Sequence, residues 1–129
     1  MLKNYLKSLF ENIYNPKVDP EQYISTFVSR NYKQVVDGHR IDYIDFIDHI
    51  KKQREIFESI SFDFICLVEE GDTVASLHKV YAKKRNSEQE IVAEVHAFFK
   101  FKDKMLISCA ERTRIIQGSD EDKDLGRRK

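Results

Sequence analysis

The chain has 129 residues, the length of one domain, and 41% hydrophobic with 34% charged residues excludes a disordered polymer. Its 22 lysines and arginines balance its 22 aspartates and glutamates, so charge gives no reason to expect nucleic acid or an anionic membrane as partner. No stretch is apolar for long enough to span a bilayer, and the charged run Met1–Phe10 lacks the cleavage site of a signal peptide.

In chain order, Leu2, Leu6, Leu9, Phe10 and Ile13 form one stripe at helical spacing, which predicts an amphipathic helix over 2–14. Asn15-Pro16 ends it, because proline disfavours helix at the residue before it. Asp19-Pro20 reads as a cap with proline at the first helical position, opening a second helix with Tyr23, Ile24, Phe27 and Val28 on one side. Residues 30–40 read as a short strand or extended loop ending in the Asp37-Gly38 turn. Asp42 caps a third helix that runs to about 58, with Tyr43, Phe46, Ile47, Ile50 and Phe57 on its apolar face.

Beyond residue 60 the pattern alternates. Strands are predicted over about 60–70, 73–84, 89–102 and 104–117, with short polar connections that suit antiparallel hairpins. Three helices followed by a meander make an α+β fold, with the domain over 1–117 and a polar C-terminal tail over 118–129.

Strand parity sorts the sheet residues into two faces. Outward lysines and arginines put Val74, Ser76, His78, Val80 and Ala82 inward on one strand and Val95, Ala97, Phe99 and Phe101 inward on the next. The last strand turns Ile107, Cys109, Glu111, Thr113 and Ile115 inward. His78 and Glu111 thus face the helices, and both are costly to bury unpaired. They form either a satisfied hydrogen bond in a polar part of the core or an acid/base pair that touches a ligand. The same reasoning expects them within hydrogen-bonding reach of each other or of one water.

Asp37 either makes the Asp-Gly turn or overhangs a pocket mouth as a second catalytic candidate. Tyr32, Gln34, Ser76, Phe99 and Thr113 are the candidate substrate-binding residues. His39 and His49 are expected at the surface, with no ligand-like spacing to another His or Cys. Cys66 and Cys109 lie in apolar runs without CxxC spacing, which reads as two small buried hydrophobes in a reducing cytoplasm. No metal site or cofactor motif is expected, since GxGxxG, P-loop, GxSxG, HExxH and EF-hand patterns are absent. Phe98, Leu77, Tyr81 and His96 share the outer face of the sheet, which predicts a homodimer built there.

The order of these elements, with several local stretches, resembles the SnoaL-like branch of the nuclear transport factor 2-like superfamily. Tyr32-Lys-Gln-Val-Val-Asp37-Gly38 looks like the family's loop before the third helix, and Ile41-Asp-Tyr-Ile-Asp-Phe46 with His49 like the start of that helix. Gly71-Asp-Thr-Val74 with His78-Lys-Val80 looks like its central hairpin. Phe99-Lys-Phe101 with Lys104-Met-Leu-Ile107 looks like the closing one. Glu111-Arg-Thr113, Gly118-Ser-Asp120 and Asp122-Lys-Asp124-Leu-Gly126 look like the end of uncharacterised bacterial members.

The resemblance covers roughly 5–126. It implies a cone-shaped fold, three N-terminal helices on a curved antiparallel sheet, holding a small, mostly apolar molecule. It admits cofactor-free isomerase, dehydratase or cyclase chemistry, or a non-catalytic ligand-binding or protein-interaction module. In the alignment it suggests, the ketosteroid isomerase base falls near Val35 and that enzyme's second aspartate near Ala97, so isomerase catalysis of that type does not transfer.

Overall fold

A computed structural model describes residues 1–118. The polar tail expected over 118–129 therefore lies, from residue 119 on, outside the described residues, and so do Asp120, Asp122 and Asp124. The elements are α1 (Leu2–Ile13), α2 (Pro20–Phe27), β1 (Val28–Val36), β2 (His39–Asp42), α3 (Tyr43–Ile56), β3 (Phe57–Glu70), β4 (Thr73–Lys84), β5 (Glu90–Lys102) and β6 (Met105–Gln117).

Local chemistry places the helix starts. The Asp19 side chain accepts the Glu21 N–H with Pro20 opening α2, and Asp42 with Asp45 makes a reciprocal capping box on α3. Of the strand or extended loop expected at 30–40, the structure has the strand, β1, and its turn makes it one arm of a hairpin. Asp37 and Gly38 both have positive φ, 52° and 84°, as a two-residue type I′ turn requires, and β1 pairs with β2 across it.

The six strands lie in the order β2-β1-β6-β5-β4-β3. The meander β3–β6 is antiparallel as expected, but β1 runs parallel to β6. The sheet is therefore mixed, not purely antiparallel. The cause is chain order: α3 and the meander carry the chain back, so that β1 meets its distant partner in the parallel sense.

Register shifts bend the strands. One lies between Lys100 and Phe101, where Phe101 pairs with Leu106. It corrects the parity expected for β6: Leu106 is the buried residue and Ile107 is only half-buried. A second shift, between Phe64 and Cys66, leaves Cys66 exposed and not buried as expected.

The three helices cover one face of the sheet. Leu6, Leu9 and Ile13 of α1, Ile24 of α2, and Phe46, Ile47 and Ile50 of α3 meet Val74, Val95, Ala97, Phe99 and Phe101 in the core. The inward side chains of β5 run from Ala93, Val95 and Ala97 at one end to Phe99 and Phe101 at the other. Between this face and the helices a space is left open above Ala93, Val95 and Phe99.

Candidate functional site

That opening is a cavity of about 90 Å³ between the helices and the concave face of the sheet. Its floor includes Ala93, Val95 and Phe99, and its roof includes Leu9, Phe10, Ile13, Phe46 and Ile50. Polar groups enter it from several elements: Tyr14 (the C-cap of α1), Tyr32 and Gln34 (β1), His49 and Gln53 (α3), His78 (β4), and Cys109, Glu111 and Thr113 (β6).

Glu111 sits at the centre of one polar cluster. Gln34 Nε2 donates to its Oε1 at 3.1 Å, and the Thr113 hydroxyl donates to its Oε2 at 3.1 Å. Behind Gln34, the Tyr32 hydroxyl donates to the amide oxygen at 2.6 Å. That bond fixes the Gln34 amide with its NH₂ group toward Glu111. The parallel pairing of β1 with β6 makes this possible, because it sets Gln34 beside Cys109 and Val36 beside Glu111. The Cys109 thiol lies 3.9 Å from Glu111 Oε1, and burial pushes that thiol well up, which keeps it protonated.

Burial pushes the Glu111 carboxyl up to about 7; the Thr113 hydrogen bond opposes this and the Asp37 carboxylate adds to it. The group therefore exchanges its proton near neutral pH.

His78 occupies the other side of the floor. Its Nδ1 lies 2.7 Å from the Ser76 hydroxyl, and burial, with a smaller push from His96, takes the ring down to about 4. Phe10, Phe62 and Phe64 pack against the imidazole. It is a neutral ring at pH 7.

Parity placed His78 and Glu111 on the inner face, and both line the cavity. The expected direct bond between them does not form. His78 pairs with Val95, which pairs with Thr113, and Glu111 pairs with Ala97. Strand β5 stands between them, so their strands are about 10 Å apart. The expectation took β4 and β6 for neighbours.

Tyr32, Gln34, Phe99 and Thr113 also line the cavity. Ser76 does not; its hydroxyl is spent on His78. Asp37 is a turn residue, and its Oδ1 accepts the Thr113 N–H at 2.9 Å. It stays outside the cavity and acts on Glu111 through its charge.

Three cavity residues escaped the sequence reading. His49, expected at the surface, is 4% exposed. Phe46, His49, Ile50 and Gln53 fall on one helical face, so the spacing of α3 carried the signal. Tyr14, the C-cap of α1, follows Phe10 by about one turn, and its hydroxyl donates to Gln53 Oε1. Among the described residues no group of three or more His, Cys, Asp or Glu side chains is arranged to hold a metal ion.

No family model matches the chain. An uncharacterised fission-yeast protein, C11D3.04c of Schizosaccharomyces pombe, is 27% identical over 124 residues, spanning 96% of this chain and 94% of that one. The likeness is thus not confined to bacterial proteins. Among solved structures, AclR of Streptomyces galilaeus, a candidate hydroxylase, superposes with a TM-score of 0.73 at 14% identity, over 96% of this chain and 83% of its own. A candidate SnoaL-like polyketide cyclase from Jannaschia sp. CCS1 gives 0.70 at 12% identity, over 87% of this chain and 83% of its own. The α+β fold with a curved six-stranded sheet is that of the SnoaL-like, nuclear transport factor 2-like proteins.

Proposed function

We propose that the protein is a cofactor-free acid/base enzyme that moves a proton on a small, mostly apolar molecule held in this cavity. The observation that carries the reading is the Glu111 carboxyl, oriented by Gln34 and Thr113 inside a largely apolar cavity and tuned to about 7. A general base works best with its pKa near the working pH. Ionised Glu111 takes a proton from the carbon next to a carbonyl, and the electron pair moves onto the carbonyl oxygen. His78 is the candidate donor to that oxygen: when Ser76 donates to Nδ1, the proton resides on Nε2. Protonated Glu111 then returns the proton at the same or a neighbouring carbon, an isomerisation-type step. Asp37 and Thr113 position Glu111, and Tyr32 positions Gln34. Solved proteins of the same fold are described as candidate cyclases and hydroxylases, which agrees with small-molecule chemistry in the cone.

The test is α-proton exchange of small cyclic ketones in D₂O, followed by NMR. The expected result is exchange whose rate rises with pH through about 7 and falls by roughly 100-fold or more in Glu111→Gln. Exchange at the buffer rate, or an undiminished rate in that variant, would sink the reading.

A second reading concerns the outer face and is compatible with the first. Val68, Ala75, Phe98, Ala110 and Val35 pair in one row across five strands, and Val68 and Phe98 are 57% and 60% exposed. We propose that a second copy of the chain covers this row. Whether or not the cavity is catalytic, the chain would then be a dimer that binds through its sheet. No described helix is long and apolar enough to cross a membrane, and two free cysteines, one of them exposed, suit the reducing cytoplasm in which we place the protein.

A further inference from the structure

His49 is a buried polar group that the proposed chemistry does not use. His49 lines the cavity together with Phe46, Ile50 and Gln53, it is 4% exposed, and its Nδ1 is buried without a hydrogen-bond partner among the described residues. Leaving such an atom unsatisfied costs about 1–3 kcal/mol, so a core evolved for packing alone favours an apolar side chain here. Burial takes the ring down to about 4, which keeps it uncharged at pH 7.

The chemistry of the cavity narrows what can meet this atom. Among the described residues no lysine or arginine lines it, so the described lining offers an anionic ligand no counter-charge and sets it beside Glu111. A neutral imidazole presents one donor and one acceptor nitrogen, and which is which depends on the tautomer. A hydroxyl group donates and accepts, so it satisfies Nδ1 in either tautomer. A carbonyl serves only one.

Size narrows the choice further. The cavity of about 90 Å³ is far below the roughly 300–1,000 Å³ of pockets that enclose drug-sized molecules. An apolar cavity of roughly 150 Å³ holds benzene. This cavity is smaller, so a single ring enters only as Phe10 moves aside; that residue lines both the cavity and a groove of about 610 Å³ between α1 and β3. Fused polycyclic molecules do not.

We propose that His49 is a specificity residue that binds a hydroxyl group on an uncharged, single-ring substrate. The substrate class is then a neutral hydroxy-ketone of one ring, its carbonyl end at Glu111 and its hydroxyl at His49. This deepens the acid/base reading and rests on it for the carbonyl end only.

The test compares phenol, cyclohexanol, toluene and benzoate as probes of the full chain, by NMR titration with ¹⁵N-labelled histidine. Phenol and cyclohexanol are expected to bind about tenfold more tightly than toluene, the worth of one hydrogen bond, and to shift the His49 ring signals. Benzoate is expected not to bind. In His49→Leu the hydroxyl preference should vanish while toluene still binds, and His49→Gln should restore part of it.

Equal binding of toluene and phenol by the native protein overturns the proposal, because His49 then meets only water. So does a preference that survives in His49→Leu. If instead Glu111→Gln removes the preference, the hydroxyl sits at Glu111; the cavity reading stands and the role of His49 falls. Failure of every ring compound to bind overturns both.

Discussion

The Asp37 carboxylate accepts the Thr113 N–H at 2.9 Å, and the Thr113 hydroxyl in turn donates to Glu111 at 3.1 Å. A turn residue is thereby tied to the cavity carboxyl through one intervening residue. The backbone adds to the tie, since the Asp37 N–H donates to the Glu111 carbonyl at 3.0 Å. The charge of Asp37 is thus held near Glu111 by the same strand pairing that shapes the cavity wall.

Asp37→Asn separates the charge from the geometry. Asparagine keeps an oxygen for the Thr113 N–H and tolerates the positive φ of 52°. Only the negative charge is lost. Since that charge raises the Glu111 carboxyl, the variant should titrate Glu111 below its native value of about 7, read by ¹³C NMR of the carboxyl. An unchanged midpoint would show that the Asp37 charge does not act on Glu111.

Glu111 also makes stability depend on pH. Its folded pKa of about 7 lies above the ordinary 4.5, so between these values the folded chain binds the proton and the unfolded chain does not. The contribution of Glu111 to stability is present below about 4.5 and is lost as pH rises through about 7. The two buried histidines, lowered from 6.5 to about 4, act the other way: stability is gained as pH rises from about 4 to 6.5. Their effect cancels when Glu111→Gln is compared with the native chain. The variant should gain relative stability between pH 4.5 and 7, on the order of 2 kcal/mol after allowance for solvent at the half-buried side chain. Denaturant melts at five pH values measure it. A pH-independent difference would mean that Glu111 titrates normally.

Phe10 closes the cavity toward the groove and contacts Phe62, Phe64, His78 and Phe99. Phe10→Ala should join the two spaces. Removing a ring from such a cluster costs about 3 kcal/mol, and ring compounds should associate faster than with the native chain. Stopped-flow binding in Phe10→Ala and in Phe62→Ala tests this. An association rate unchanged in both would place the entrance elsewhere.

Much of this was legible in the sequence because it rests on periodicity. The stripe Leu6, Leu9, Ile13 and the alternation around His78, Phe99 and Glu111 set which faces are buried, and these stretches follow it. What was not legible depends on pairing between distant strands. Nothing local to Tyr32–Val36 says that β1 joins β6 in parallel, yet that pairing brings Gln34 to Glu111. Nothing local says that β5 separates His78 from Glu111. The side change at Leu106 likewise comes from a bulge, which a strict alternation cannot register. His49 was a different case, since its helical face was readable and its polarity alone sent it to the surface.

The last prediction concerns the outer face. Three helices cover the concave side of the sheet, and the convex side is left with the row Val68, Ala75, Phe98, Ala110 and Val35. Leu77 and Tyr81 beside it are half-buried, whereas Phe98 and His96 are exposed. Isolated exposed apolar residues are ordinary, but a row that crosses five strands is a contiguous patch. A twofold axis through it would let the same row meet itself, which is how most homodimers close. Light scattering at micromolar concentration should then give twice the chain mass of 15.3 kDa. Phe98→Asp should give the single-chain mass, because each copy would bring an unpaired charge into the buried centre. Phe98 points away from the cavity, opposite in parity to Phe99 and Ala97, so the variant should keep the Glu111 titration near 7. A native protein that scatters as one chain would sink the dimer, and a Phe98→Asp dimer of native mass would move the interface off this face.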